Sequence, residues 1–173
     1  YAKEAPAKYY NIILTAIIAT SGVFTLCLFL FSDPIMTQLG YENKGIFLKC
    51  LALILAIDAI TAIPFAKLRL ENKIRIFVQA KIVSILLNVG LNVIILQFLK
   101  PMHEQGTGPE FLKNIYRPEV GAGYIFLANL IGNASLFYWL KAEFKLFKWT
   151  WNWPELRTLW IYAYPIMFMS FAA

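Results

Sequence analysis

Long apolar runs separated by short polar segments dominate this chain. A hydrocarbon core about 30 Å thick is crossed by about 20 mostly apolar residues of α-helix. Four runs meet that length, and a fifth begins near Leu159 and reaches Ala173. The four predicted spans are Tyr10–Phe31, Ile46–Phe65, Ile76–Leu99 and Val120–Leu140. The pattern therefore predicts an all-α, polytopic membrane protein built as a helical bundle.

The two ends of the sequence favour an internal part of a larger protein. The chain begins at Tyr1 without a methionine, and no polar residue closes the last apolar run. We therefore expect further spans of the same protein to pack against this chain.

Composition and charge agree with a membrane protein and orient it. Hydrophobic residues make up 60% of the chain and charged residues 15%, against about 25% charged in soluble proteins. Short loops rich in Lys and Arg stay in the cytoplasm. Eleven of the 16 basic residues lie on one side, which comprises the amino end, the Lys67–Arg75 loop, Lys81 and the Lys141–Arg157 segment. We expect that side to be cytoplasmic, with Asp33–Gly45 and Lys100–Glu119 facing outward. Because topology explains the net charge of +6, no nucleic-acid partner is expected.

The predicted inner segment Phe144–Trp153 alternates Lys with Phe and Trp. Trp149, Trp151, Trp153 and Trp160 fit an interfacial aromatic belt beside lysines. An amphipathic surface stretch is the favoured interpretation, and a specific lipid-binding motif is the alternative.

Asp58 is the most unusual residue of the second predicted span, because it lies within the apolar run Leu51–Phe65. A carboxylate at that depth costs about 2.5–3.5 kcal/mol and normally faces the protein interior or a watery cavity. Lys81, across the connecting loop, lies at a similar estimated depth, so we expect an Asp58–Lys81 ion pair. A free, proton-carrying carboxylate is the alternative. Pro64 is expected to kink or end the span.

A polar stripe follows one face of the third predicted span, and a weaker one follows the fourth. Its residues are Lys81, Ser84, Asn88 and Asn92 on the third span and Asn129 and Asn133 on the fourth. Such residues join membrane helices, and the same residues suit the wall of a hydrated cavity. Together with Asp58 they are the candidate substrate-cavity residues.

Enzymatic and metal chemistry have little support in the sequence. His103 is the only histidine, and the sequence has neither a Gly-rich phosphate loop nor a G-x-S-x-G motif. We therefore expect a non-enzymatic protein without a metal or bound cofactor.

Three stretches resemble a known family. Ala56–Arg75, which reads AIDAITAIPFAKLRLENKIR, resembles the link between the fourth and fifth spans of polysaccharide flippases of the multidrug/oligosaccharidyl-lipid/polysaccharide superfamily. Tyr162–Ile166, YAYPI, is similar to the opening of their seventh span, and Tyr1–Pro6, YAKEAP, to the approach to their third. The resemblance runs through the chain in order.

The resemblance implies a fold and a function. Residues 1–157 would belong to the amino-terminal six-span lobe of a MATE-like, two-lobe transporter of about 12–14 spans, and residues 158–173 would begin a further, truncated span. Such proteins move an undecaprenyl-diphosphate-linked oligosaccharide across the bacterial inner membrane by alternating access, for O-antigen or capsule synthesis. They carry no ATPase, and coupling to a proton or sodium gradient is implied for several members. The partners would be that lipid-linked oligosaccharide and membrane lipids. A multidrug exporter of the same superfamily and a membrane-embedded glycan enzyme are the alternatives.

Overall fold

The computed structural model describes residues 4–41, 44–104 and 120–172. All regular structure in these ranges is helical, which confirms the all-α prediction. The helices are α1 (Glu4–Gln38), α2 (Gly45–Leu70), α3 (Ile74–Val93), a π-helical stretch (Ile94–Leu99), α4 (Lys100–Glu104), α5 (Gly123–Lys145) and α6 (Trp153–Ala172). Most of the predicted outer loop, residues 105–119, lies outside the described residues.

Within the described residues, three helices are long and apolar enough to cross a membrane, and they coincide with the first three predicted spans. They cover Ala7–Gln38, Gly45–Leu70 and Ile74–His103. The chain is therefore compatible with a multi-pass membrane protein. The fourth and fifth predicted spans form α5 and α6, which are helical but do not reach the same hydropathy.

Two helices end in the same kind of turn. At the end of α1 the Tyr41 N–H donates to the carbonyl of Met36 at 2.9 Å, and Gly40 takes a φ of 78°. At the end of α2 the Lys73 N–H donates to the carbonyl of Leu68 at 2.8 Å, and Asn72 takes a φ of 56°. This is the Schellman arrangement, which uses glycine or asparagine in the left-handed conformation to satisfy the last carbonyls. It reverses the chain tightly between α2 and α3.

Two long helices, α2 and α6, continue beyond a proline. Pro64 lies inside α2, which continues to Leu70, and Pro165 lies inside α6. The alternative that Pro64 ends the second span was therefore wrong. The helix ends six residues later, at the capped turn.

The helices form an up-and-down arrangement in which α5 packs against both α2 and α3. α1 packs along α2, whereas α2 and α3 touch each other much less. Since α5 runs parallel to α2, its first residue, Gly123, meets Phe47 near the start of α2. The buried core lies at the other end, next to the α2–α3 turn. It comprises Phe65, Leu68, Ala80, Leu136 and Leu140.

Candidate functional site

Ser84 and Asn88 of the polar stripe of α3 lie against α5, and we call this contact the α3–α5 seam. Ser84 is buried and Asn88 is half-buried there. A methyl group built on Gly132 of α5 would come within 2.8 Å of the Ser84 carbonyl oxygen and 3.1 Å of the Asn88 Cβ. Only glycine permits so close an approach, and small residues commonly allow membrane helices to cross in this way. Helix packing is therefore one role that Ser84 and Asn88 perform.

The two asparagines of α3 also bind each other. The Asn92 amide nitrogen donates to the Asn88 backbone carbonyl at 3.0 Å and to its side-chain oxygen at 2.8 Å. The Asn92 side-chain oxygen is buried without a hydrogen-bond partner. Burying a hydrogen-bond acceptor that has no donor costs folding free energy. Asn92 can therefore accept one further hydrogen bond, from a donor such as a water molecule or a hydroxyl group.

The predicted stripe of the fourth span falls on α5 beside the same seam. Asn129 and Asn133 are both half-buried, and they flank the contact glycine Gly132. Two predicted polar stripes thus lie on a pair of helices that pack directly together. Helical spacing alone does not indicate which helices pack together.

The expected Asp58–Lys81 ion pair is absent from the described part of the chain, so that prediction was wrong. Lys81 lies opposite Phe65, with its ammonium group 5.0 Å from the ring centroid. Asp58 lies seven residues before Phe65 on α2, which is roughly 10 Å along a helix. The two charges therefore differ in depth by about two turns. The side chain of Asp58 is exposed instead.

A groove lies between α1 and α2. Its volume is about 380 Å³, and it is lined by Thr20, Ser21, Phe24, Leu55, Ala56 and Ala59. Ala59 follows Asp58 directly in the chain, but the Asp58 side chain is not part of the lining of this groove. The groove is open and mainly apolar, with two hydroxyl groups from α1.

An ion cluster around the buried Glu143 lies at the α2–α3 turn, and sequence reasoning missed this central residue. Glu143 of α5 exposes only 6% of its side chain and forms an ion pair with Lys67 of α2. Lys73 reaches the same carboxylate at 3.6 Å. The Tyr10 ring lies 4.7 Å from the Lys67 ammonium group, and the Tyr10 hydroxyl donates to the Glu143 backbone carbonyl at 3.4 Å. The cluster thus joins α1, α2, the turn and α5.

Glu71 balances the second lysine of this cluster. It lies 2.5 Å from Lys73 and 3.8 Å from Lys67. The hydrogen bond from Lys73 lowers the pKa of the Glu71 carboxyl, and the same bond raises the pKa of Lys73. Two lysines and two carboxylates therefore neutralise one another. The left-handed Asn72 makes this possible, because it folds Lys73 back towards α2 and α5.

A signal for Glu143 was present in the sequence. The buried residues Ala128, Gly132, Leu136 and Leu140 of α5 recur every four positions, and Glu143 continues the same face. It is also the only acidic residue between Glu119 and Glu155. A lone carboxylate at the end of a buried face requires a cation. Lys67 and Lys73 were considered only as topology markers.

The fold and these sites define an all-helical protein compatible with multiple membrane crossings, with a polar seam inside the bundle and an ion cluster at one end. No protein-family model matches the chain, and no curated protein and no solved structure matches it.

Proposed function

We propose that this chain forms part of a flippase that moves an undecaprenyl-diphosphate-linked oligosaccharide across a bacterial inner membrane by alternating access. In this proposal the chain supplies spans of the amino-terminal lobe of a MATE-like, two-lobe transporter. The resemblance of Ala56–Arg75 and Tyr162–Ile166 to polysaccharide flippases suggests the substrate class.

The observation that carries the proposal is the electrostatic state of Lys81. Its ammonium group rests on an aromatic ring, and within the described ranges it forms no salt bridge with any carboxylate. It shares a helix face with Asn88 and Asn92, whose amides bind sugar hydroxyls well. A cation without an acidic partner suits a diphosphate, because hydrogen bonds between charged groups are the strong ones. The lysines of the ion cluster are already neutralised, so they suit this role less.

Replacing Lys81 with glutamine should abolish most transport without removing the protein. Loss of one charged hydrogen bond to a diphosphate should lower the initial rate by about tenfold or more. The measurement is flipping of lipid-linked oligosaccharide in proteoliposomes that contain the full-length protein, normalised to the amount of folded protein. Lys100→Gln, at an exposed position at the start of α4, is the matched control and should flip at the parental rate. A normal rate for Lys81→Gln at normal abundance would exclude the diphosphate role.

Substitutions at Asn88 and Asn92 separate packing from substrate contact. If the pair lines the path, Asn92→Ala should lower the rate per molecule at unchanged abundance, since its unpartnered oxygen can accept a further hydrogen bond. If the pair only packs helices, abundance should fall while the rate per molecule stays normal. For Asn92→Ala we expect a lower rate per molecule at unchanged abundance. For Asn88→Ala we expect both abundance and rate per molecule to fall, because Asn88 also touches Gly132.

Asp58 favours a second candidate function, a cation-coupled multidrug exporter of the same superfamily. The carboxylate is exposed, lies one residue before the groove residue Ala59 and has no salt-bridge partner among the described residues. An organic cation would supply its missing partner. In that case Asp58→Asn should abolish efflux of a cationic dye, whereas Lys81→Gln should leave it intact. The flippase proposal requires the opposite ranking for oligosaccharide flipping.

The proposed orientation places the α2–α3 turn in the cytoplasm. In a variant without Cys27 and Cys50, a cysteine at Leu70 should be protected from an impermeant thiol reagent in intact cells. A cysteine at Tyr41, in the turn after α1, should be labelled. Both positions are exposed, so accessibility within the protein does not limit either reaction. Labelling of the Leu70 position in intact cells would reverse the orientation.

A further inference from the structure

The segment between α5 and α6, residues 146–152, has no helical structure, yet it is held firmly against α1. The Lys148 N–H donates to the Asn11 side-chain oxygen at 3.1 Å. The Thr150 N–H donates to the hydroxyl of the fully buried Thr15 at the same distance. These side chains satisfy backbone donors that have no helical partner. The segment is therefore fixed by two residues one turn apart on α1.

The following helix is fixed to the same face of α1. Asn152 caps α6, since its side-chain oxygen accepts from the Glu155 N–H at 3.4 Å. Glu155 in turn lies 2.5 Å from Lys8 of α1. Lys8, Asn11 and Thr15 are spaced by three and four residues, so they lie on one helix face. One face of α1 therefore anchors both the segment between α5 and α6 and the start of α6.

The anchoring leaves three tryptophans facing outward. Trp149, Trp151 and Trp153 are 62%, 53% and 67% exposed, whereas Thr150 and Asn152 between them are half-buried. The rings of Trp151 and Trp153 are stacked, with centroids 6.4 Å apart. Tryptophan prefers the interface between hydrocarbon and headgroups. The alternation therefore presents a preformed aromatic surface at that level.

Two exposed lysines next to these tryptophans in the chain carry positive charge that no described carboxylate neutralises. The acidic residues nearest in sequence, Glu143 and Glu155, are paired with Lys67 and Lys8. Lys145 and Lys148 are exposed and form no salt bridge within the described residues. A charge of this kind attracts anionic lipids within a distance of about 10 Å. Exposed aromatic rings and lysines without salt bridges thus lie within nine consecutive residues, 145–153.

We propose that residues 145–153 form a binding site for the headgroup of an anionic phospholipid. Trp149, Trp151 and Trp153 set the depth of the site at the membrane interface, and Lys145 and Lys148 bind the phosphate. Its position at the junction of α1, α5 and α6 lets a bound lipid stabilise how these helices meet. The site does not depend on which substrate the protein transports.

Site-specific crosslinking tests this proposal directly. The photoreactive amino acid p-benzoylphenylalanine replaces Trp151 in the full-length protein, which is placed in phosphatidylcholine nanodiscs with a minor fraction of phosphatidylglycerol. After irradiation, mass spectrometry identifies the lipid attached at that position. We expect phosphatidylglycerol adducts to exceed its bulk share by at least about twofold, since each basic residue at an anionic surface is worth up to about fivefold. The double variant K145Q/K148Q should return the adducts to the bulk share.

Two controls make the result decisive. K44Q/K100Q removes two exposed lysines elsewhere and should keep the enrichment. High salt should abolish the enrichment in the parent protein, a test that needs no lysine substitution. Adducts at the bulk lipid ratio in the parent protein would overturn the proposal. An enrichment that K145Q/K148Q preserves, or that K44Q/K100Q abolishes equally, would overturn it as well.

Discussion

Replacing Glu143 with glutamine is expected to destabilise the protein by about 2 kcal/mol or more. The substitution keeps the size of the side chain but removes the charge that Lys67 and Lys73 share. Lys67 is only 20% exposed, so it cannot regain full hydration when its partner is lost. Removing one member of a buried ion pair usually costs about 3–5 kcal/mol, and the partial exposure of Lys67 reduces that figure. The thermal midpoint of the purified protein in detergent measures the loss.

A double variant distinguishes charge from simple damage to the fold. In Glu143→Gln with Lys67→Met the stranded cation is gone, and Lys73 keeps Glu71 as its partner. This variant should recover at least half of the lost stability, because contacting residues are not additive. Glu71→Gln is the matched control. Its side chain is 38% exposed, so it should cost less than about 1 kcal/mol. Equal losses for Glu71→Gln and Glu143→Gln would show that burial of Glu143 has no energetic role.

The first four spans were predictable because each of their apolar runs reaches the length of about 20 residues that a bilayer requires. The structure extends the first two predicted spans to α1 and α2, beyond Phe31 and Phe65. The additional turns contain polar residues that hydropathy excludes, and they end at Schellman turns. The left-handed conformations of Gly40 and Asn72 end these helices, so hydrophobicity does not determine where they stop.

The candidate site was predictable along each helix but not between helices. Period and spacing placed Ser84, Asn88 and Asn92 on one face, and the structure shows Ser84 and Asn88 at a helix contact. The same spacing cannot reveal that α5 lies against both α2 and α3. For that reason the sequence predicted an Asp58–Lys81 ion pair, whereas the turn geometry places Phe65 opposite Lys81.

Glu143 shows a different limit of sequence reasoning. A carboxylate at a helix end beside lysines is typical of a solvated surface, and the burial of Glu143 follows only from the helices around it. Three separate elements supply its partners Tyr10, Lys67 and Lys73. Contacts between residues so far apart in the chain are a property of the packed bundle. The aligned positions of α5 indicate that a partner is needed, but they cannot name it.

Replacing Gly132 with alanine is expected to push α3 and α5 apart. The new methyl group would lie 2.8 Å from the Ser84 carbonyl oxygen, which is a backbone atom and cannot turn aside. The helices must then separate by a few tenths of an ångström, at a cost of about 1–3 kcal/mol. The shift should also disturb the Asn88 side of the seam, so flipping should slow even in the folded fraction. Thermal midpoint and the rate per folded molecule measure the two effects separately.

Gly90 provides the matched control for this prediction. It lies on α3 two residues after Asn88, but a methyl group there would meet no heavy atom within 4 Å. Gly90→Ala should therefore be neutral, or stabilising by up to about 1 kcal/mol through helix propensity. Gly132→Leu should be worse than Gly132→Ala, because a larger side chain meets the same backbone oxygen. If Gly132→Ala were as stable as Gly90→Ala, the close crossing of α3 and α5 would be refuted, and with it the packing role of Ser84 and Asn88.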